Sequence, residues 1–101
     1  VVDDNATNRR ILQEMLTFWR MRPTVVADGR TALLELRAAV AAGDPFSLLL
    51  LDAMMPEMDG FEVAGRVREM LPAERPPVVM LTSGGQLGEA ARCRELGIDA
   101  Y

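Results

Sequence analysis

The chain has 101 residues, 50% of them hydrophobic and 26% charged, which suits one compact domain with a hydrophobic core and leaves no room for a second. The net charge of -4 argues against a nucleic-acid-binding surface, and a lone cysteine, Cys93, excludes an intrachain disulfide. The apolar runs are far shorter than the ~20 residues that span a bilayer, and the first residues lack the basic region of a signal peptide, so we expect a cytoplasmic protein without membrane insertion.

Predicted strands and helices alternate along the chain. The helices carry apolar residues at helical spacing, Asp4 or Asn5 can cap the first, and Gly43 is a natural end for the second. The predicted elements are strand 1–4, helix 5–20, strand 23–27, helix 30–42, strand 46–52, helix 60–71, strand 78–83, helix 86–96 and a strand that starts at 99–101. Apolar stripes are formed by Ile11, Leu12, Met15, Leu16 and Trp19 on the first helix and by Phe61, Ala64, Val67 and Leu71 on the third.

This alternation predicts the fold class. Strands separated by helices of this length need crossover connections, which favour a parallel sheet with helices on both faces. The runs "LLLL" and "VVML" are continuously apolar, as expected of strands that are covered on both faces. We therefore predict an α/β fold with a doubly wound parallel sheet.

Acidic and hydroxyl side chains follow these predicted strands. Asp3 and Asp4 end the first, Asp52 ends the third, and Thr82 and Ser83 end the fourth. In open parallel sheets, ligands bind outside the carboxyl ends of the strands. Three carboxylates there repel one another unless a cation lies among them, and hard oxygen ligands suit Mg²⁺ or Mn²⁺. An aspartate held beside a metal can also act as a nucleophile toward phosphorus.

In this order and spacing, "VVDD", "DAMMPEMDG", "VVMLTS" and "GIDAY" resemble a receiver domain of bacterial two-component response regulators. The resemblance covers essentially the whole chain and implies a flavodoxin-like three-layer sandwich. It implies that Asp52 is the phosphoacceptor, that Asp4 binds the metal directly and that Asp3 holds it through water. Met54 would offer its backbone carbonyl to the metal, so that the metal set is Asp3, Asp4, Asp52 and Met54.

The resemblance also assigns a switch and a loop. Thr82 would be the hydroxyl that moves to bond the phosphoryl group, and Tyr101 the aromatic side chain that turns inward with it. Pro56 and Gly60 would shape the loop after the acceptor, Pro56 by fixing φ and Gly60 by adopting a conformation that a side chain resists.

The implied partner is a histidine kinase or a histidine phosphotransfer domain, and homodimerisation is possible. Such a domain promotes its own aspartyl phosphorylation and dephosphorylation. "DDNATNRRIL" is most similar to receivers attached to hybrid sensor kinases. Arg9 and Arg10 are either a solvated helix face or the border of the surface that meets the phosphodonor.

One departure concerns the end of the sequence. Receivers carry an essential lysine about three residues beyond the position of Tyr101, and this chain has no lysine, since all 11 of its basic residues are arginines. Most of the fifth strand, the fifth helix and the front of the first strand of the family pattern are likewise not in these residues. We expect that 1–101 is a single receiver domain, incomplete at both ends, from a longer polypeptide.

Three other classes of protein are considered. A flavin-binding electron carrier would need a phosphate-binding loop rich in Ser, Thr and Gly where this chain has "DDNATN". A haloacid-dehalogenase-type phosphatase would have a second acid two residues after the nucleophile, where this chain has Met54. The third is a receiver-like interaction module that is not phosphorylated; such domains typically lose one of the acids, and here none is lost.

Overall fold

Helices and strands alternate in the structure as the sequence predicts. The computed structural model describes residues 1–81. Their elements are α1 (Ala6–Phe18), α2 (Gly29–Ala41), β1 (Leu49–Asp52), α3 (Gly60–Met70) and β2 (Val78–Leu81). The predicted helix at 86–96, the end of the predicted strand at 78–83 and the strand start at 99–101 lie outside the described residues.

Every one of these helices begins at a short polar side chain that accepts a backbone hydrogen bond. Asn5, Asp28 and Asp59 accept from the N–H groups of Asn8, Thr31 and Glu62, respectively. Each thereby satisfies one of the N–H groups that the first helical turn leaves without a partner inside the helix. The predicted cap of α1 is thus resolved in favour of Asn5.

The ends of α1 and α2 share one hydrogen-bond pattern. After α1 the N–H of Arg20 donates to the carbonyl of Thr17, and the N–H of Met21 donates to the carbonyl of Leu16. The N–H groups of residues 43 and 44 make the equivalent hydrogen bonds at the end of α2. The pattern places the residue after the cap in the left-handed region, with φ 76° at Gly43 and 63° at Arg20. Glycine adopts this conformation without strain, so the sequence signals the end of α2 more clearly than that of α1.

The sheet is parallel. β1 pairs with β2 in the register Leu49–Val78 to Asp52–Leu81. Val2 adds isolated parallel bridges to Val26 on one side and to Leu51 on the other. The order across the sheet is therefore Val26, Val2, β1, β2, which is the start of the flavodoxin-like order.

Two predicted strands are shorter than the sequence indicates. The predicted strands at 1–4 and 23–27 are reduced to single bridge residues, Val2 and Val26. Backbone hydrogen bonds between the two segments join Val26 to Val1 and to Asp3, and the terminal ammonium of Val1 donates to the carbonyl of Thr24 at 2.9 Å. Pairing stops there because the chain turns at Asp3, whose carboxylate accepts the N–H of Asn5, and α1 then begins.

The main hydrophobic core lies between the sheet and the helices α2 and α3. Its fully buried side chains include Leu51 and Met80 from the strands and Val63 and Val67 from α3. The stripe predicted for the third helix is buried throughout: Phe61, Ala64, Val67 and Leu71 all belong to this core. Helical spacing therefore identified the covered face of α3 correctly.

The stripe of α1 is largely exposed. Leu16 is the buried residue of this helix, and it lies outside the main core cluster. Met15 and Trp19 keep 41% and 60% of their surface exposed, and Ile11 keeps 50%. Within residues 1–81, little covers the predicted apolar face of α1.

Candidate functional site

Three carboxylates meet at the carboxyl ends of the strands. Asp3, Asp4 and Asp52 each present one carboxylate oxygen such that all three oxygens lie within 4.8 Å of one another. The parallel pairing explains this: Val2 bridges Leu51, so the next residues, Asp3 and Asp52, leave the sheet side by side. Residues that are 49 positions apart in sequence thus form one acidic cluster.

Asp3 is the most tightly held of the three. Only 3% of its surface is exposed. Its N–H donates to the carbonyl of Val26 at 3.2 Å, and its Oδ1 accepts the N–H of Asn5 at 2.9 Å. Its own carbonyl accepts a hydrogen bond from Nη1 of Arg9 at 2.8 Å. The backbone N–H, the carbonyl and Oδ1 of Asp3 therefore each have a hydrogen-bond partner among the described residues.

Asp52 is half-buried at the end of β1. Its backbone N–H donates to the carbonyl of Val2 at 2.9 Å, which fixes its place beside the first segment. The pKa of its carboxyl is raised from 3.8 to about 6, mainly by burial. The neighbouring charges of Asp3 and Asp4 also raise this pKa. The N–H of Met54 donates to Oδ1 at 3.1 Å and lowers it. Near neutral pH the carboxyl is mostly ionised and unusually basic, which suits a nucleophile.

The loop between Asp52 and α3 turns tightly. The side chain of Met54 is 64% exposed, so nothing in the described residues constrains its identity. Further along, the carbonyl of Pro56 accepts the N–H of Met58 at 2.7 Å around Glu57, whose φ is 66°. The loop closes where the N–H of Gly60 donates to the carbonyl of Ala53 at 3.1 Å.

The reason predicted for Gly60 is corrected by this geometry. Among residues 1–81 the one glycine with positive φ is Gly43, so Gly60 does not need an unusual backbone conformation. A Cβ at Gly60 would instead collide with the backbone carbonyl of Asp52 and lie 2.9 Å from Sδ of Met80. Gly60 is required because α3 begins in direct contact with the end of β1.

The acidic cluster has the donor set of a magnesium site. Mg²⁺ is held in proteins by one or two carboxylates and keeps several of its waters. The cluster supplies three carboxylates, one buried, one half-buried and one exposed, so that one side stays open to water. Burial is the largest cause of the raised pKa of Asp52, and the charges of Asp3 and Asp4 raise it further. A divalent cation among the three carboxylates would relieve the repulsion between these charges. The residues therefore fit such an ion.

The remaining predictions concern the switch residues and the arginines of α1. Thr82 and Tyr101 fall outside the described residues, so their predicted switch roles stay predictions. Arg9 joins the site through its hydrogen bond to Asp3, a contact that the sequence does not reveal. The available signal is its place in the first turn of the helix that follows the acids, but Arg10 next to it points to solvent and pairs with Glu14.

The comparisons with known proteins agree with one another. A family model described as the response regulator receiver domain matches residues 1–101. The response regulator PleD of Caulobacter vibrioides is 37% identical over 101 residues, which cover 100% of this chain and 21% of PleD. Hybrid signal transduction histidine kinase L of Dictyostelium discoideum is 31% identical over 104 residues, covering 100% of this chain and 6% of the kinase.

Solved structures show the same fold. The receiver domain of the histidine kinase CKI1 from Arabidopsis thaliana, complexed with Mg²⁺, superposes with a TM-score of 0.86 at 26% identity and covers 98% of this chain and 77% of that one. The chemotaxis protein CheY4 of Vibrio cholerae gives a TM-score of 0.83 at 28% identity, with 98% and 78% covered. The predicted flavodoxin-like α/β fold is thereby confirmed.

The relatives are longer proteins. A probable transcriptional regulator, ycf27 of Pyropia yezoensis, is 36% identical over 101 residues, and this chain spans 38% of its length. Among the described residues, none of the helices has the length and apolar character needed to cross a membrane.

Proposed function

This chain belongs to the family of response regulator receiver domains, and on that premise we propose that Asp52 is the residue that accepts the phosphoryl group. Domains of this family are the phosphoacceptors of two-component signalling. The observation that supports Asp52 is its position: it ends the buried strand β1, lies within 4.8 Å of two further carboxylates and has a carboxyl pKa raised to about 6, chiefly by burial.

The transfer uses one oxygen of the ionised Asp52 carboxylate. This oxygen attacks the phosphorus of a phosphohistidine, a new P–O bond forms, and the P–N bond breaks with its electron pair left on the imidazole, which then takes up a proton. Oδ1 of Asp52 accepts the N–H of Met54, and this bond orients the carboxylate. Accordingly, Oδ2 is the oxygen that we assign as the nucleophile.

Asp3, Asp4 and Asp52 would hold Mg²⁺ or Mn²⁺, with the backbone carbonyl of Met54 as a further ligand. When bound, the ion neutralises charge on the phosphoryl oxygens. Asp3 is fixed through its own backbone and through Oδ1, which accepts the N–H of Asn5, and we assign Oδ2 as the atom that would face the ion or its water. The ion bound to the related CKI1 receiver domain supports this choice of metal.

The partners follow from the phosphoryl donor. A histidine kinase or a histidine phosphotransfer domain would present the phosphohistidine at the carboxyl edge of the sheet. Thr82 and Tyr101 would then convert the new charge into a changed surface. Homodimerisation and attachment to a hybrid kinase belong to this proposal, and the similarity to both a response regulator and a hybrid kinase is compatible with either context.

The acceptor is tested by phosphorylation with acetyl phosphate and Mg²⁺, followed by intact-mass measurement. We expect the parent protein to gain one phosphoryl group that hydroxylamine and base remove, as for an acyl phosphate, and Asp52→Asn to gain none. Asp59→Asn is the matched control, because asparagine caps α3 as well as aspartate does and leaves the cluster intact.

Two results would contradict the assignment. Labelling of Asp52→Asn to the level of the parent would show that the acceptor is another residue. A base-stable label would indicate a hydroxyl acceptor such as Thr82 or Ser83.

A further inference from the structure

We infer that Arg9 is a positioning residue for the acidic cluster: its guanidinium holds the backbone turn that carries Asp3 and Asp4 into the site. The inference rests on the proposed metal-dependent function and assigns a role to a residue outside the metal set. It begins from the hydrogen bond that Nη1 of Arg9 donates to the carbonyl of Asp3 at 2.8 Å.

The contact joins two parts of the chain that must be aligned. Asp3 is the last residue to pair with the sheet, through its N–H and Val26, and Arg9 lies in the first turn of α1. The backbone N–H of Arg9 donates to the carbonyl of Asn5 at 3.0 Å, so its own backbone is fixed within the helix. The side chain therefore reaches back over the start of the helix and ties it to the strand end.

Asp4 lies between the two points that are held. On one side is Asp3, fixed by the carbonyl bond from Arg9; on the other is Asn5, whose side chain caps α1 by accepting the N–H of Asn8 at 3.1 Å. Asp4 itself is exposed and has no comparable packing. Its place in the cluster is consequently set by the backbone on either side of it.

A positioning role for Arg9 and a purely electrostatic role predict opposite changes in Mg²⁺ affinity. A positive charge close to a cation site opposes binding of the cation by Coulomb repulsion. Arg9 is half-buried at this site, whereas Arg10 is exposed and forms an i,i+4 pair with Glu14 at 3.3 Å. A nearby arginine that only added charge would weaken metal binding, so its removal would strengthen it. If Arg9 instead positions the cluster, its removal should weaken Mg²⁺ binding.

The experiment measures Mg²⁺ dissociation constants by isothermal titration calorimetry for the parent, Arg9→Gln, Arg9→Lys and the control Arg10→Gln. Arg9→Gln and Arg10→Gln remove the same charge one residue apart. We expect Arg9→Gln to bind Mg²⁺ about 10-fold more weakly, the lower end of the loss seen when outer-shell partners of metal ligands are removed. Arg10→Gln should bind as tightly as the parent or slightly more tightly.

Arg9→Lys keeps the charge and a donor nitrogen but loses the rigid fork, so its dissociation constant should fall between those of the parent and Arg9→Gln. The melting temperature of each metal-free protein is measured alongside, to confirm that the variants compared are folded. Should Arg9→Gln not fold, Arg9→Lys carries the test, and an affinity equal to that of the parent overturns the inference.

The possible failures are distinguishable. If the parent shows no Mg²⁺ binding, the proposed metal site is refuted and the role of Arg9 with it. If the parent binds Mg²⁺ and Arg9→Gln binds it equally or more tightly, the inference about Arg9 is refuted and the metal site stands.

Discussion

Asp52 and Asp28 each mark the boundary of an element, but their surroundings shift their carboxyl pKa values in opposite directions. Asp28 caps α2, and the backbone N–H of Thr31, donated at 2.7 Å, lowers its pKa. Asp52 ends β1, and burial followed by the charges of Asp3 and Asp4 raises its pKa to about 6. The first carboxylate is stabilised by what surrounds it, and the second is destabilised.

The other helix caps and the acidic cluster show the same contrast between stabilised and destabilised side chains. Asn5 and Asp59 accept backbone N–H groups at the starts of α1 and α3, as Asp28 does for α2. The acidic cluster instead brings like charges together, an arrangement that costs stability until a cation or a proton relieves it. Polar residues at the helix starts thus support the fold, whereas the acids at the strand ends oppose it through charge repulsion.

The largest effect is expected for Mg²⁺ binding when the exposed carboxylate of the cluster is removed. Asp4→Asn should weaken Mg²⁺ affinity by more than about 10-fold, since even outer-shell partners of a metal site contribute that much. Isothermal titration calorimetry measures the affinity, and Asp28→Asn serves as the control from the helix-start group. An unchanged affinity in Asp4→Asn would remove Asp4 from the metal set.

Removal of the side chain that caps α3 should lower stability and leave Mg²⁺ affinity unchanged. Asp59→Ala removes the acceptor of the Glu62 N–H and should lower the free energy of unfolding by about 1 kcal/mol. Urea denaturation of the metal-free protein measures this value. Mg²⁺ affinity should stay as in the parent; a loss of affinity comparable to that of Asp4→Asn would show that the two groups of residues are not separate.

A smaller effect on stability is expected at the C-terminal end of α1. Arg20 follows the C-cap of this helix with φ 63°, a conformation that suits glycine better. Arg20→Gly should therefore raise the free energy of unfolding by about 0.5 kcal/mol, because it relieves the cost of a left-handed backbone at a side-chain-bearing residue. Gly43→Ala, at the equivalent position of α2, should lower it. Equal stability of all three proteins by urea denaturation would contradict this account.

The last prediction concerns pH. Because the pKa of Asp52 is raised by burial and neighbouring charges to about 6 from 3.8, the folded state binds more protons than the unfolded state between these values. The contribution of Asp52 to stability therefore falls as pH rises through this range and is constant above it. Since the side chain is only half-buried, solvent reduces the size of the effect.

The measurement is urea denaturation of the metal-free protein from pH 4 to 8, for the parent and for Asp52→Asn. The variant should be favoured relative to the parent as the pH increases. A parent that instead gained stability relative to Asp52→Asn between pH 4 and 6 would reverse the predicted sign.

Much of the site could be predicted because its signals are local. An apolar run followed at once by an acid identifies a strand that ends in a carboxylate, and the parallel sheet then brings such ends together. This pattern predicts Asp3, Asp4 and Asp52, and in the structure one carboxylate oxygen of each lies within 4.8 Å of the others. The contact of Arg9 with Asp3 and the raised pKa of Asp52 depend on distances between segments, which no local pattern contains.

Local sequence patterns are sufficient to predict the order of helices and strands in residues 1–81, most helix ends and the identity of the acidic residues. These depend on periodicity, capping side chains and residues such as Gly43, all of which act over a few neighbouring positions. For α3 the predicted third helix at 60–71 agrees with the observed Gly60–Met70 almost residue for residue.

Which apolar faces are covered, and how closely two elements approach each other, depends on the tertiary structure. The stripes of α1 and α3 have the same period, yet Val67 is fully buried and Trp19 is 60% exposed. Gly60 was expected to serve an unusual backbone conformation, but its role is to let α3 begin against the carbonyl of Asp52. Periodicity states which side chains share a face; burial depends on the atoms that other segments bring to that face, and these are fixed only when the chain is folded.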